Sequence, residues 1–310
     1  MEFLLGIDQG TTNTKVVLVD SRAQLKAAAE RRIATATPQP GWVEQDPAAM
    51  VQNVLACIGE VLAKAGIGAE KIAGAGICNQ TETLVVWDAA SGRPLHPAIV
   101  WQCRRSQPDA QALQGAAAEI AARTGLDLDP TFTATKLRWL LRERPEIGAQ
   151  LRNGTALWGT VDSWLVHALS GGTAYVTEPG NASRTMLYDI TRLAFADDLF
   201  RLFDLPLPRR PEVKPSAAPF ARFARELLGR EIPITGILGD QQSALFGHGC
   251  FEPGMLKASF GTGGFVWLNA GGAPPLADRQ GLLATIAWRL DQPAYALEGF
   301  VMYAGAIVDW

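Results

Sequence analysis

The chain has 310 residues, of which 48% are hydrophobic and 19% are charged, and its formal net charge is -3. This composition is typical of a soluble globular protein with room for one large domain or two. The sequence shows neither a basic run that would indicate nucleic-acid binding nor an apolar run of the ~20 residues that a membrane span needs. Its first residues also lack the pattern of a signal peptide. We therefore expect a cytoplasmic protein that binds neither nucleic acid nor membrane, and homo-oligomerisation stays open.

The thiols and imidazoles of the chain are dispersed. They belong to Cys57, Cys78, Cys103, Cys250, His96, His167 and His248. Their spacings are not those of metal ligands, and scattered cysteines in a large unexported chain are usually reduced. A metal cluster built from these residues is not expected.

The first motif is a polar turn between two apolar runs, from Leu4 to Asp20. Two such runs joined by a Gly-containing turn predict a β-hairpin. Glycine lets the backbone approach an anion, and amides in a tight turn can form an anion-binding nest. The turn supplies these groups through Gly10, Thr11, Thr12 and Asn13. Asp8, at the strand end, is placed to hold Mg²⁺ directly or through water, although an ordinary polar turn would read the same way.

The next elements follow without a long break. A third strand is predicted between Ala23 and Thr37. Asp46 is a suitable N-cap and Pro47 fits the first helical position, so a helix is predicted from there to about Lys64. Ile72 to Ile77 predicts a buried strand. Its Gly-Ala-Gly is not a dinucleotide fingerprint, because a third glycine and an opening helix are both missing from the sequence there.

The middle of the chain predicts mixed elements. Strands are expected at 84–87, 98–101 and 174–177, and helices at 106–123, 132–141, 160–169, 195–203 and 220–228. Residues 179–184 read as a polar loop. Trp101 is expected at a strand end, where it serves either as core or as a binding residue.

The last third contains an acid at the end of a strand and a second Gly-Thr turn. Ile234 to Leu238 predicts a strand that ends at Gly239-Asp240, and a helix opens at Gln241. Ligand chemistry in α/β proteins is commonly placed at such a point. Further strands are predicted at 256–260, 265–268, 282–288 and 295–298, and 307–310 looks helical. The turn Gly261-Thr262-Gly263 repeats the opening theme, and two such hairpins can clamp nucleotide phosphates between two domains.

Several segments in order resemble the FGGY carbohydrate kinases, and within them the glycerol kinases most closely. They are Asp8-Gln9-Gly10-Thr11-Thr12, residues 41–47, Asn79-Gln80-x-Glu82-Thr83, residues 98–102, residues 181–187, residues 239–242, Gly261-Thr262-Gly263 and residues 304–306. The resemblance implies an α/β protein with an actin-like ATPase (ribonuclease H-like) fold, with two domains, a cleft and an incomplete second domain. Residues 1–248 would form the substrate and phosphate domain, and 249–310 the start of the nucleotide domain.

The resemblance also implies roles for individual residues. Asp240 would be the general base, and Asp8 would hold Mg²⁺. The polyol or sugar would meet Gln80, Thr81, Glu82, Trp101, Thr131, Asp240 and Gln241. ATP would meet Gly10, Thr11, Thr12, Asn13, Lys15, Gly261, Thr262, Gly263, Gly305 and Asp309.

Four positions depart from the glycerol kinase pattern. Lys15 replaces Arg with its charge kept, and Asp309 replaces Gln. Thr81 and Thr131 replace an Arg and a Tyr that contact the acceptor, so an acceptor longer than glycerol is expected. The predicted function is an ATP-dependent polyol or sugar kinase. A true glycerol kinase, an inactive kinase-like binding protein and an actin- or chaperone-like ATPase stay as alternatives; a Walker-type kinase is disfavoured because the P-loop pattern is missing.

Overall fold

The computed structural model describes residues 2–260, 264–277 and 279–301. Its strands are β1 Phe3–Gln9, β2 Asn13–Asp20, β3 Leu25–Arg32, β4 Thr35–Ala36, β5 Glu44–Gln45, β6 Ile72–Asn79, β7 Val85–Asp88, β8 Ala98–Ile99, β9 Ala156–Gly159, β10 Val176–Thr177, β11 Tyr188–Asp189, β12 Ala194–Phe195, β13 Glu212–Val213, β14 Ala217–Arg222, β15 Pro233–Gly239, β16 Leu256–Phe260, β17 Gly264–Gly271, β18 Leu283–Arg289 and β19 Pro293–Val301. Its α-helices are α1 Pro47–Ala65, α2 Gln107–Ala112, α3 Ala117–Thr124, α4 Thr133–Glu143, α5 Pro145–Asn153, α6 Val161–Leu169, α7 Pro179–Ser183, α8 Asp197–Leu202, α9 Arg225–Leu228 and α10 Asp240–Gly247.

A six-stranded sheet in the order β14-β15-β6-β1-β2-β3 organises the first part of the chain. β1 is antiparallel to β2 but parallel to β6, and β6 is parallel to β15. Parallel neighbours end at the same edge of a sheet. The register aligns Asp8, Cys78 and Leu238, so the chain leaves β1, β6 and β15 at one edge.

The predicted hairpin and the first helix are both present. Side chains alternate between the two faces of β1 and β2, which places Leu5, Ile7, Val16 and Leu18 in the core. α1 begins where the Asp46 carboxylate accepts a hydrogen bond from the Ala48 N–H.

Helix α1 is long and apolar enough to cross a membrane by length and composition, although the sequence offered no run that suggested it. Its buried face contains Met50, Val54, Cys57, Ile58 and Val61. This face packs onto β2 and β3, as expected of an amphipathic helix that covers one side of a sheet.

A four-stranded antiparallel sheet, β16-β17-β19-β18, follows α10. The register places Lys257, Trp267 and Glu298 in one row across β16, β17 and β19. These side chains are buried, and the row faces α10 and the first part of the chain. On the opposite face Leu256, Val266 and Val301 are exposed.

Three predicted segments differ from the observed structure. Residues 220–228 are not one helix, because β14 takes Phe220 into the sheet and only one turn, α9, follows. Residues 179–184 contain the short helix α7, whose backbone N–H groups are bound by the buried Glu178 carboxylate. The predicted helix 106–123 is divided by a 3₁₀ turn at Gln114–Ala116. The predicted helix at 307–310 lies outside the described residues.

Candidate active site

The shared edge of β1, β6 and β15 brings together residues that are far apart in the sequence. Asp8 lies near the end of β1, Gln80 follows β6, and Asp240 follows β15. The Gln80 N–H donates to the Gln9 carbonyl oxygen at 2.9 Å, which joins the first two chain exits. The edge is therefore the place where the predicted metal, acceptor and base residues meet.

Asp240 is the first residue of α10 and is half-buried. Its Oδ1 accepts a hydrogen bond from the Gln241 backbone N–H at 2.8 Å. Burial raises the pKa of Asp240 to about 7, and the negative charges of Glu82 and Asp8 act in the same direction. A carboxyl group with this pKa can exchange a proton near neutral pH, as a general base must.

Asp8 has a carboxylate oxygen that accepts no hydrogen bond from the described residues. Its Oδ1 is buried and has no hydrogen-bond partner among the described residues. Burial raises the pKa of Asp8, while a bond with the Cys78 thiol and the charge of Lys15 oppose that rise. A buried carboxylate oxygen left unpaired is a natural ligand for a hard cation.

The turn after Asp8 is closed by its own backbone. The Gly10 N–H donates to the Asn13 carbonyl oxygen at 3.0 Å, and a Cβ on Gly10 would lie 3.2 Å from that oxygen. Thr12 and the Lys15 side chain are exposed, and the Lys15 ammonium lies 3.6 Å from Glu30. The turn therefore has a glycine without a side chain and polar side chains exposed to solvent.

A hydrogen-bond network connects this turn to the predicted acceptor residues. The Trp101 indole N–H donates to Thr11 Oγ1 at 2.8 Å, and the Gln80 amide donates to the Gly10 carbonyl oxygen at 3.2 Å. Gln45 accepts from Gln80 at 2.9 Å and donates to the Thr11 carbonyl oxygen at 2.6 Å. Gln45 therefore links the turn at Thr11 to the predicted acceptor residue Gln80.

Glu82 is held by a buried guanidinium. Its φ is 63°, a left-handed conformation that is unfavourable for a non-glycine residue and is often found at functional sites. Arg184 Nε donates to Glu82 Oε1 at 2.5 Å, and Arg184 Nη2 lies 2.7 Å from Glu298 Oε2. Burial alone would lower the pKa of Arg184, but Glu298 and Glu82 raise it, so the cation is retained.

Thr81 and Thr131 contact different parts of the candidate site. Thr81 is buried, and its methyl group is 2.5 Å from the position that a Cβ on Gly239 would take. Thr131 is half-buried, and its carbonyl oxygen accepts a bond from Lys136 Nζ, which also donates to the Glu82 carbonyl oxygen at 3.0 Å. Lys136 is fully buried and thus ties the loops that carry Thr131 and Glu82 to each other.

Five predicted nucleotide residues lie outside the described residues. They are Gly261, Thr262, Gly263, Gly305 and Asp309. In the part of the chain that the structure covers, no group of three His, Cys, Asp or Glu side chains is arranged for a metal ion. A single carboxylate such as Asp8 suits Mg²⁺, which usually keeps waters and phosphate oxygens as its other ligands.

Sequence reasoning missed four residues that contact the predicted set. They are Gln45, Lys136, Arg184 and Lys257. Arg184 lies inside a segment that resembles the family, and Lys257 lies just before the second Gly-Thr turn. Their positions in or beside these motifs are the sequence signal that could have identified them. Their partners could not be read from the sequence, because each bond joins distant segments.

The comparisons with known proteins point to one family. Residues 3–247 match the model of the FGGY family of carbohydrate kinases, N-terminal domain. A glycerol kinase from Citrifermentans bemidjiense is 50% identical over 314 residues, which cover 100% of this chain and 63% of that protein. A glycerol kinase from a Geobacter species is 48% identical over the same shares.

Solved structures show the same fold. A Plasmodium falciparum glycerol kinase with ADP superposes with a TM-score of 0.94 at 33% identity, covering 100% of this chain and 63% of that one. A xyloylose kinase from Brucella ovis gives 0.89 at 25% identity, covering 100% and 62%.

The fold is the actin-like ATPase fold of these sugar kinases of known structure. The chain belongs to the FGGY family of carbohydrate kinases. It spans about 63% of the length of the curated relatives named above. The predicted actin-like fold is confirmed, whereas the boundary at residue 248 stays a prediction.

Proposed function

We propose that this protein is a cytoplasmic, ATP-dependent kinase that transfers the γ-phosphoryl group of ATP to a hydroxyl of a small polyol or sugar. The observation that carries the proposal is Asp240, a carboxyl group with a pKa of about 7 at the end of β15. Acceptor residues and the phosphate turn converge on the same edge of the sheet.

In this reaction Asp240 accepts the proton of the attacking hydroxyl. The hydroxyl oxygen forms a bond to the γ-phosphorus as the bond to the β–γ bridging oxygen breaks, and ADP leaves with those electrons. The Gln241 N–H donates a hydrogen bond to Asp240 Oδ1, which keeps the carboxylate in one orientation. Its other oxygen, Oδ2, is the one that accepts the proton. Such proton transfer contributes about 10²–10⁴-fold to the rate.

The residues present suit ATP with Mg²⁺. Asp8 Oδ1, unpaired in the described part of the protein, is the oxygen that would hold the ion or one of its waters. The bare backbone at Gly10 and the hydroxyls of Thr11 and Thr12 suit phosphate oxygens. Mg²⁺ bound there would neutralise charge on the phosphates. Lys15, Thr262 and Gly305 complete the proposed nucleotide set, with Asn13, Gly261, Gly263 and Asp309.

The acceptor pocket is proposed to favour a molecule longer than glycerol. Glu82 and Gln241 carry polar groups and Trp101 an aromatic ring, while Thr81 and Thr131 are small. A three-carbon acceptor would leave polar groups without partners, each at a cost of ~1–3 kcal/mol. A tetritol, pentitol or ketopentose has the extra hydroxyls. The names of the relatives, glycerol kinases, are compatible with this proposal and with the alternative, a plain glycerol kinase.

A substrate panel tests the proposal. ADP formation is measured in the full-length protein with glycerol, four- and five-carbon polyols and ketopentoses. We expect ATP-dependent phosphorylation, with kcat/KM higher for a longer acceptor than for glycerol. Preference for glycerol would identify the plain glycerol kinase, and saturable polyol binding without turnover would identify a binding protein.

A further inference from the structure

Lys257 is a buried cation that reaches the predicted catalytic residues from the second sheet. It lies on β16 in the row with Trp267 and Glu298, and 4% of its surface is exposed. Its Nζ donates to Gln241 Oε1 at 2.5 Å and to Ser259 Oγ at 2.9 Å. A buried lysine is costly unless its ammonium has partners, so these two bonds define where it points.

The bond to Lys257 decides which way the Gln241 amide faces. An ammonium group only donates hydrogen bonds, so the amide must turn its oxygen to Lys257. The Gln241 Nε2 is then directed to the other side, where it lies 3.4 Å from Asp240 Oδ2. Without Lys257 the amide is free to flip and to present its oxygen to the carboxylate.

We propose that Lys257 is a positioning residue for phosphoryl transfer, which acts by fixing the Gln241 amide beside Asp240. The inference rests on the proposed kinase activity. Lys257 does not touch the reacting atoms; it acts through Gln241. It also links the strand that leads to residues 261–263 with the residues that bind the acceptor.

The charge of Lys257 gives a second consequence. The Lys257 ammonium interacts electrostatically with Asp240 and Glu298. Among the other groups around Asp240, Glu82 and Asp8 favour its protonated form, and the hydrogen bonds from Gln241 favour its ionised form. The nearby Cys78 thiol is uncharged. Lys257 therefore supplies positive charge to a group of carboxylates, and its loss should raise the pKa of Asp240.

The test compares Lys257→Met with Lys257→Arg, which keeps the charge, in the full-length protein. Lys64→Met is the control, since Lys64 lies in an exposed ion pair with Glu60 far from the site. We expect K257M to lower kcat for the best acceptor by about 10- to 100-fold, in line with a hydrogen bond to a charged group. K257R should recover part of that loss, and K64M should match the wild type.

Two further measurements separate positioning from a structural role. In a double-mutant cycle, Gln241→Ala should lower kcat much less in the K257M background than in the wild type. The reason is that both substitutions remove the same hydrogen bond, between Lys257 and Gln241. The acid limb of kcat/KM should also move to higher pH in K257M and stay in place in K257R.

The outcomes are distinct from those of the proposed function. A wild-type protein that phosphorylates no acceptor contradicts the kinase proposal itself. An active wild type whose K257M variant keeps its kcat and pH profile overturns the role of Lys257. Additive losses in the cycle, with a raised KM for ATP, would instead show that Lys257 binds nucleotide directly, and the positioning role would be wrong.

Discussion

Asp240 combines the two properties that a general base needs, a fixed position and a pKa near neutrality. The Gln241 N–H fixes one oxygen at 2.8 Å, and burial raises the pKa to about 7. We predict that Asp240→Asn lowers kcat by more than about 100-fold while the Kd for the acceptor changes little. Steady-state kinetics and calorimetry measure these values, with Asp291→Asn, an exposed site, as the control. Retention of a tenth of kcat would contradict the role.

The same carboxyl group predicts a pH dependence. Asp240 accepts a proton only when it is ionised, so activity should be present above its pKa and lost as the pH falls. We expect kcat/KM to decrease about tenfold per pH unit below a pH of about 7. A profile between pH 8 and pH 5.5 settles the point, and a flat profile would exclude Asp240 as the titrating base.

Thr81 and Thr131 predict acceptor preference at the same scale. We expect the double variant Thr81→Arg with Thr131→Tyr to shift the ratio of kcat/KM values toward glycerol, because an arginine restores a bidentate donor and a tyrosine restores an aromatic wall. Thr81 packs tightly beside Gly239, so the arginine must extend away from that strand. The single variants serve as comparisons. If the unmutated protein already prefers glycerol, the size argument is wrong.

The short helix α7 shows what one buried carboxylate contributes to an element. Glu178 Oε2 accepts from the Gly180 N–H at 2.8 Å and from Ser216 Oγ at 3.1 Å, and its Oε1 accepts from the Asn181 N–H. Helix α7 directly precedes Arg184, so its position sets that of the Glu82 ion pair.

Glu178→Gln should therefore destabilise the fold. The amide NH₂ would face a donor, and we expect a loss of ~1–3 kcal/mol in the free energy of unfolding. Urea unfolding measures the loss, with exposed Glu119→Gln as the matched control. Equal midpoints and slopes for the two variants would show that Glu178 does not hold this helix.

Elements with strong local signals were predictable, and those fixed by distant contacts were not. The hairpin β1–β2 and helix α1 follow from alternation, a glycine turn and an N-cap. Helix α7 has five residues and depends on the Glu178 carboxylate and on burial, so its residues resemble a polar loop. Phe220 continues an apolar pattern that suits a helix, but pairing with β15 draws it into the sheet.

The sequence indicated where the candidate site residues lie relative to the strands, but not how they are connected. Asp8 and Asp240 stood at strand ends in the sequence, where the structure also places them. The bonds of Gln45 and Arg184 cross 34 and 102 positions of the chain. Hydrogen bonds between such distant segments depend on the folded sheet order, which local sequence patterns do not contain.

At the scale of the whole molecule, the second sheet leaves an apolar face in contact with solvent. Leu256 is 56% exposed, Phe260 74% and Val301 58%, and Val266 lies among them. Contiguous exposed apolar surface favours association. The 310-residue chain spans about 63% of the length of its relatives, so its behaviour on its own is a separate question from that of a full-length protein.

We predict that this 310-residue chain self-associates through this exposed apolar face. Light scattering checks this, and Leu256→Thr with Val266→Thr should reduce the scattering because both changes lie on the exposed face. Leu25→Thr, at an exposed position on β3, is the control and should have no such effect. Equal scattering from the double variant and the unmutated chain would contradict the prediction.

Arg184 has a consequence for motion. It joins Glu82, which follows β6, to Glu298 on β19, so two buried ion pairs span the first and second parts of the chain. Separating such pairs leaves buried charges unpaired, at a cost of ~3–5 kcal/mol. Any movement that separates Glu82 from Glu298 must therefore break at least one of these two buried ion pairs.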